Sequence, residues 1–164
     1  MHNYIPENYH CPFCLLRDGI VNDFVESRRS DVIYEDDETL AFICSWQFVG
    51  TVHEGHALVV PKVHYENIYE LPDSVGGSLA STTRLVATAM RSVYEKCEGV
   101  TTWQNNGPAA DQTVWHYHTH LLPRVPGDSF TELISDLEHT FSFMEEELRA
   151  EYAKKLRDGL AALD

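Results

Sequence analysis

Three histidines in the stretch from Val114 to Arg124 have the residue type and the spacing to do chemistry. His116, His118 and His120 are two residues apart, so their imidazoles share one face if the stretch is a β-strand. Imidazole nitrogens need hydrogen-bond partners, and three of them suit a dry core poorly. The pattern alone leaves three interpretations open: a metal site, a nucleophilic or acid–base histidine with supporting neighbours, and a structural cluster satisfied by backbone groups.

Neutral hydrogen-bond donors precede these histidines. Asn105 lies in an Asn-Asn-Gly loop, and Gln112 and Thr113 come directly before Val114. Amides and hydroxyls of this kind are suited to the non-bridging oxygens of a phosphate group. No acidic residue lies beside the triplet to complete a facial metal triad. The neighbours therefore favour phosphate chemistry.

A second candidate site is the pair Cys11 and Cys14 in the sequence Cys-Pro-Phe-Cys. One interpretation is a glutaredoxin-like redox motif, whose thiolate is activated at a helix N-terminus that follows a strand. The residues before Cys11 are not β-like, which argues against this interpretation. The alternative is half of a zinc site, in which two thiolates require two further ligands to complete a tetrahedron.

Short strands around one long helix are predicted to position these residues. Apolar residues at helical spacing predict a helix over 73–97 with one buried face, and Gly99 suits its C-cap. Other segments read as a short helix at 11–16, a hairpin of 32–34 with 39–44, strands at 56–61, 101–104 and 114–122, and a mostly helical remainder at 128–164. This order predicts an α+β fold with an antiparallel sheet.

Length and charge limit the classes of function. A chain of 164 residues fits one domain and can bury a core without disulfide bonds. The net charge of −14 argues against a nucleic-acid partner and an anionic membrane surface, but not against a small nucleotide. No apolar run is long enough to span a membrane, and the polar N-terminus lacks a signal-peptide pattern, so we expect a cytoplasmic protein with reduced thiols.

The order of these motifs resembles the histidine triad (HIT) family of nucleotide hydrolases and transferases. The family signature alternates three histidines with apolar residues and is usually preceded by glutamine, as in residues 116–122 with Gln112. Further matches are YEDDETLAF (34–42), HALVVPKVH (56–64) and NNG (105–107). The resemblance implies a HIT-like α+β domain over 1–127, with a five-stranded antiparallel sheet, a long helix and a homodimeric assembly. Residues 128–164 then form a C-terminal extension that we expect to be a solvated, acidic helical tail, with ten acids against four bases.

The resemblance also implies a reaction. His118 is the nucleophile that attacks the α-phosphorus of a dinucleoside polyphosphate or nucleoside phosphoramidate, and His120 serves the leaving-group side. It further implies that Asn105, Gln112 and Thr113 bind phosphate and that Phe13, Leu16 and Phe42 form the base pocket. Two other functions remain open: a regulatory module that binds nucleotides with little turnover, and a nucleotidyl transferase.

Zinc-containing members of the family imply the ligands that the cysteine pair lacks. In this chain these are His64 and His116, which would complete a structural site with Cys11 and Cys14. A zinc ion there would tie the N-terminal segment to the catalytic strand and contribute directly to folding.

Two positions depart from the family: Thr119 is a mild departure from the apolar pattern of the signature, and the position of Cys44 is a clearer one. Relatives commonly carry Asp two residues after the phenylalanine of the Ala-Phe pair, where it binds the ribose hydroxyls, but this chain has Cys44. The loop at 45–55 is also longer than usual. Trp46 and Gln47 are candidates to close over a ligand instead, and this departure motivates the regulatory alternative.

Overall fold

The computed structural model describes residues 3–48, 55–135 and 141–163. Its main sheet contains β1 (Val32–Glu35), β2 (Thr39–Ile43), β4 (Ala57–Pro61), β5 (Gly99–Trp103) and β6 (Thr119–Arg124). The strand order is β1-β2-β4-β6-β5 and each neighbouring pair is antiparallel, which confirms the predicted five-stranded sheet. A separate two-stranded sheet pairs β3 (Trp46–Phe48) with β7 (Phe141–Phe143). The part of the predicted 45–55 loop at 49–54 lies outside the described residues.

Strands β2 and β4 are buried on both faces. Leu40, Phe42 and Leu58 pack on one side of the sheet against the N-terminal helix α1 (Pro12–Arg17). Ala41 and Val59, at alternate positions, pack on the opposite side. Alternate side chains of each strand therefore pack into two hydrophobic cores, one on each face of the sheet. The continuous apolar runs TLAFI and ALVVP are typical of strands that have no solvated face.

Helix α2 (Asp73–Val93) covers the second face of the sheet, with Leu79, Val86 and Met90 buried. The predicted helix continued to residue 97, but the structure ends it four residues earlier. Tyr94 adopts an extended conformation and turns into the core, and Gly99 begins β5 instead of capping the helix. A well-placed apolar residue such as Cys97 is thus buried without being helical.

The C-terminal extension is more than a solvated helical tail. After α3 (Phe130–Ser135) it contributes strand β7, and then helix α4 (Glu146–Ala161) packs against α2. Ala153 and Leu156 lie in the same core cluster as Met90, and a Cβ on Gly159 would collide with Val93. Residues 136–140 of the predicted tail lie outside the described part of the chain, and the domain boundary after residue 127 stays a prediction.

A buried ion pair fastens α4 to the domain. Arg149 is 1% exposed and donates from Nε to Oδ2 of Asp31 at 3.1 Å. Its other nitrogens donate to the carbonyl oxygens of Met144 and Glu26. Burying a guanidinium is tolerable only with partners of this kind, so the pair fixes where the helix docks.

The predicted strand at 114–122 begins only at Thr119. A tight bend closes on the hydrogen bond from His116 N to Val114 O at 2.9 Å, and Tyr117 N donates to Tyr65 O at 2.7 Å instead of to a strand. Only His120 of the three histidines therefore lies on β6. None of the described helices is long and apolar enough to cross a bilayer.

Candidate active site and metal centre

A cavity of about 390 Å³ opens on the sheet face that carries α1. Strand pairing places Phe42, Leu58, His120 and Trp103 in one row across the sheet, and residues paired in this way point to the same side. The volume lies within the range of small-molecule sites. The wall of the cavity includes aromatic, hydroxyl and imidazole side chains: Phe13, Phe42, Trp46, Thr113, His118, His120 and Phe141.

His118 reaches the cavity from the bend before β6. Its Nδ1 lies 2.7 Å from the carbonyl oxygen of His116, and because a carbonyl only accepts, Nδ1 carries the hydrogen. The lone pair is therefore on Nε2, which has no hydrogen-bond partner within the described residues. Burial lowers the pKa of His118 to about 4, so the ring is neutral near pH 7 and has the form of a nucleophile.

His120 is the end of a chain of hydrogen bonds. His56 Nδ1 donates to the carbonyl oxygen of Trp46 at 3.0 Å, which leaves His56 Nε2 as an acceptor 3.0 Å from His120 Nδ1. His120 Nδ1 must then donate, and its Nε2 carries the lone pair. Trp103 stacks on His120 with ring centroids 4.3 Å apart and an interplanar angle of 2°.

The two histidines of this hydrogen-bond chain, His56 and His120, also have shifted pKa values. Burial lowers the pKa of His56 to about 4, and it lowers the pKa of His120 well below its ordinary value, with repulsion from His56 and His118 adding to the effect. Both rings are neutral at pH 7. An imidazolium formed at His120 would be a strong acid that gives up its proton readily.

The second cluster lies on the other side of the bend. Cys11 Sγ is 3.2 Å from His116 Nδ1, and Cys14 Sγ is 3.5 Å from His64 Nδ1 and 3.6 Å from His116 Nδ1. All four ligand atoms lie within 4.8 Å of one another. Tetrahedral zinc with bonds of about 2.3 Å to sulfur and 2.0 Å to nitrogen needs ligand atoms about 3.3–3.8 Å apart, so these residues fit the ion.

The protonation states of this cluster also suit a metal. His116 Nε2 lies 2.9 Å from the carbonyl oxygen of Pro61 and must donate, so Nδ1 faces the sulfurs without a hydrogen. The hydrogen bond from the Cys11 thiol is the largest cause that lowers the pKa of the Cys14 thiol to about 3. The hydrogen bond with Cys14, together with burial, raises the pKa of Cys11. The two sulfurs thus share a proton, which a divalent cation would displace.

Some of the site residues predicted from the sequence line the cavity, and others lie beneath or beside its wall. Thr113, Phe13 and Phe42 lie on the wall, while Leu16 is buried beneath it and does not line it. Gln112 is also buried: its Oε1 accepts from Gly107 N, and its Nε2 donates to the carbonyl oxygens of Glu66 and Val114. Asn105 Nδ2 donates to Asp111 O at 3.3 Å, away from the wall.

Three further residues, which the sequence does not identify as part of the site, lie next to the histidines of the cavity or on the cavity wall. For His56, at the start of the matched stretch 56–64, the family resemblance implies a supporting role and not a metal role, and the sequence does not single out Trp103 or Phe141. Phe141 comes from the C-terminal extension, stacks on Trp46 with centroids 5.8 Å apart, and lines the cavity. No local pattern signals this, because the contact depends on the pairing of β3 with β7.

An antiparallel sheet with His118 and His120 on the wall of a cavity of small-molecule size defines a class of proteins whose site is built on paired histidines. The chain belongs to the HIT family: the family model described as HIT domain matches residues 26–127. The family includes nucleotide hydrolases.

The relatives include curated proteins and a solved structure. Protein hit of Bacillus subtilis is 37% identical over 122 residues, 74% of this chain and 76% of that protein. A crystal structure of a zinc-bound histidine triad family protein from Mycobacterium smegmatis is 30% identical, covers 94% of this chain and 95% of that one, and superposes with a TM-score of 0.73. The adenosine 5′-monophosphoramidase HNT1 of Saccharomyces cerevisiae is 37% identical over 71 residues, 43% of this chain and 42% of that protein. The homodimer, the cytoplasmic location and the absence of a nucleic-acid partner stay predictions.

Proposed function

We propose that the protein is a nucleotidyl hydrolase that cleaves dinucleoside polyphosphates or nucleoside phosphoramidates at the α-phosphate. The observation that carries the proposal is the state of His118. Its Nδ1 hydrogen is held by a backbone carbonyl, its ring is neutral, and its Nε2 lone pair is unshared within the described residues on the wall of a nucleotide-sized cavity. The phosphoramidase activity named for the yeast relative supports the same bond and the same substrate class.

In the first step the lone pair of His118 Nε2 attacks the α-phosphorus. A nitrogen–phosphorus bond forms, the bond to the leaving group breaks with its electron pair, and a nucleotidyl-histidine results. The His116 carbonyl stays bonded to Nδ1–H and stabilises the positive charge that develops on the ring. Thr113 on the same wall offers a hydroxyl to the phosphate oxygens.

In the second step water attacks the phosphorus and releases the mononucleotide. When substrate binds, His120 takes up a proton from water at Nε2, delivers it to the leaving group in the first step, and recovers one from the attacking water in the second. A bound phosphate favours the protonated ring through its negative charge. His56 acts as a positioning residue, because it accepts from His120 Nδ1, and the face of Trp103 stabilises the cationic form.

Gln112 and Asn105 act on this site through the loop that carries Thr113. The three hydrogen bonds of the buried Gln112 amide hold that loop to the segments before α2 and before β6. We therefore assign Gln112 a positioning role and leave direct phosphate contact to Thr113 and the imidazoles.

Cys11, Cys14, His64 and His116 would hold a structural zinc ion. When bound, the ion supplies a crosslink between α1, the segment after β4 and the bend that carries His118. His116 then contributes to the reaction only through its carbonyl oxygen.

The test is a hydrolysis screen of adenosine phosphoramidate and diadenosine polyphosphates, with guanosine analogues alongside and AMP or GMP quantified by chromatography. Mass spectrometry of protein quenched during turnover should find a nucleotidyl group on His118. Full activity of His118→Ala would refute the mechanism. Tight AMP binding without hydrolysis of any substrate would favour the regulatory alternative, and a product joined to a second acceptor would favour the transferase.

A further inference from the structure

A carboxylate lies at the mouth of the cavity, beside the end of β2. Glu26 lines the cavity with Ser45 and Trp46. Its Oε2 accepts from Ser45 Oγ at 2.8 Å and from Trp46 Nε1 at 3.0 Å. Oε1 has no hydrogen-bond partner in the described part of the chain. One oxygen is thus fixed by two donors, and the other is available to a ligand.

The C-terminal extension fixes the backbone on which this carboxylate and one of its donors are carried. Arg149 of α4 donates from Nη2 to the backbone carbonyl of Glu26 at 3.1 Å. Met144, between β7 and α4, donates from its backbone N to Ser45 O at 2.9 Å. The extension therefore anchors both Glu26 and one of its side-chain donors, which is the kind of support that a recognition group needs.

The cavity has three chemically different parts. Phe13 and Phe42 on one side, and Trp46 with Phe141 on another, offer aromatic surfaces to a planar ring. The buried imidazole of His118, whose Nε2 has no hydrogen-bond partner among the described residues, is where the proposed function places the phosphorus. In a nucleotide the sugar joins the base to the phosphate, so a ligand with its base on an aromatic surface and its phosphate at His118 presents its sugar to the remaining polar groups of the same wall, of which Glu26 is one.

A carboxylate can only accept hydrogen bonds, and two neighbouring hydroxyls donate to it well. Glu26 would repel a phosphate group, which also orients the substrate with its phosphate toward His118. Cys44, beside Glu26 on the cavity wall, offers only a thiol, which is a weak acceptor.

We propose that Glu26 is the sugar-binding residue of this enzyme, whose carboxylate accepts hydrogen bonds from the 2′- and 3′-hydroxyls of the substrate ribose. The inference rests on the proposed function, since it names a specificity residue of the same site. It makes the enzyme selective for ribonucleotides over deoxyribonucleotides.

The test compares kcat/KM for adenosine phosphoramidate with its 2′-deoxy and 3′-deoxy analogues. The wild type should prefer the ribonucleotide about tenfold or more, as expected for a hydrogen bond to a charged acceptor. Glu26→Gln and Glu26→Ala should reduce this preference to about threefold or less by raising KM for the ribonucleotide, with little change in kcat. Asp23→Asn, which removes another exposed carboxylate at the cavity, should keep the wild-type preference.

Calorimetry separates this inference from the proposed function. Binding of AMP and 2′-deoxy-AMP is measured for the wild type and for Glu26→Gln, without any turnover. Hydrolysis with no sugar preference, or a preference that survives Glu26→Gln, overturns the inference and leaves the function standing. A guanosine-to-adenosine ratio that changes in Glu26→Gln while the ribose preference does not would assign the carboxylate to the base and also overturn it. Glu26-dependent ribose preference in binding without hydrolysis supports the inference and refutes the hydrolase.

Discussion

Two histidine clusters lie a few residues apart in the same segment and have different chemistry. In one, His116 turns its bare Nδ1 toward Cys11, Cys14 and His64. In the other, His118 Nδ1 is bonded to a backbone carbonyl and His120 Nδ1 to the neighbouring imidazole. The unprotonated Nε2 atom of each ring is on the side away from that partner. The difference lies in the acceptor that takes the other ring hydrogen, because that acceptor fixes the tautomer.

The comparison also shows how the two clusters depend on each other. The carbonyl oxygen of His116 holds His118, while the ring of His116 belongs to the thiolate cluster. A metal bound to that ring would therefore stiffen the very backbone that orients the nucleophile. Removing the metal should affect the reaction through geometry, whereas removing His118 should abolish the chemistry itself.

The largest expected effect comes from His118→Ala. Loss of the nucleophile should reduce kcat by at least about 10³-fold, since no other described imidazole has its position. Zinc content should stay near the wild-type value, because the ring of His118 is outside the thiolate cluster. Steady-state kinetics and metal analysis check both halves of the prediction, and loss of zinc in this variant would contradict the separation of the two clusters.

The second effect is on stability. Cys11→Ser with Cys14→Ser should remove the bound zinc and lower Tm by about 10 °C or more, because a structural site contributes several kcal/mol to folding. Wild-type protein purified without added metal should carry about one zinc per chain, as expected for a four-ligand site.

The matched control for this variant is Cys97→Ser. The thiol of Cys97 donates to Gly99 O and is remote from the cluster, so the variant should keep its zinc. Calorimetry and metal analysis are the measurements. A double cysteine variant that retains the ion would reject the site.

The third effect tests the hydrogen-bond chain behind His120. His56→Phe keeps an aromatic ring but removes the acceptor for His120 Nδ1, so kcat should fall by about 10²-fold, as for loss of acid–base support. His56→Gln, which retains an acceptor, should recover part of that loss. Unchanged kcat in the phenylalanine variant would show that His56 has no positioning role.

The fourth effect is a pH dependence of stability. The folded-state pKa of His56 is about 4, below its ordinary value of about 6.5, so the unfolded chain binds more protons in this interval. Stability is fully present above about pH 6.5 and is lost as pH falls toward 4, by about 2 kcal/mol at pH 5 for this one group.

His56→Phe cancels this contribution while leaving the other titrating groups in place. Its free energy of unfolding, measured by denaturant titration at pH 7.5 and pH 5, should therefore fall less than that of the wild type. Equal losses in the two proteins would contradict a buried, neutral His56.

The smallest expected effect concerns the aromatic wall from the C-terminal extension. Phe141→Ala should raise KM about three- to tenfold with kcat unchanged, since one aromatic contact is worth about 1 kcal/mol. Phe143→Ala on the same strand is the control, because Phe143 is more exposed and does not line the cavity. Equal KM values for the two variants would indicate that the extension does not touch the substrate.

The alternation of strands, the long helix and the types of residue at both sites could be predicted from the sequence alone. Continuous apolar runs predict strands buried on both faces, and the strands at 39–44 and 56–61 are those observed, within one residue at either end. Cys11 and Cys14 form a local motif, whereas only the resemblance to the HIT family joins His64 and His116 to them.

The division of the three histidines between the thiolate cluster and the cavity depends on tertiary contacts. Strand periodicity predicts one shared face for all three, but the bond from Tyr117 N to Tyr65 O and the bend at His116 take two of them off the strand. The bond from Tyr117 to Tyr65 joins residues far apart in sequence, so no local pattern predicts it. The same holds for Arg149 with Asp31 and for Phe141 at the cavity, because burial of α4 and the pairing of β7 with β3 depend on partners more than ninety residues away.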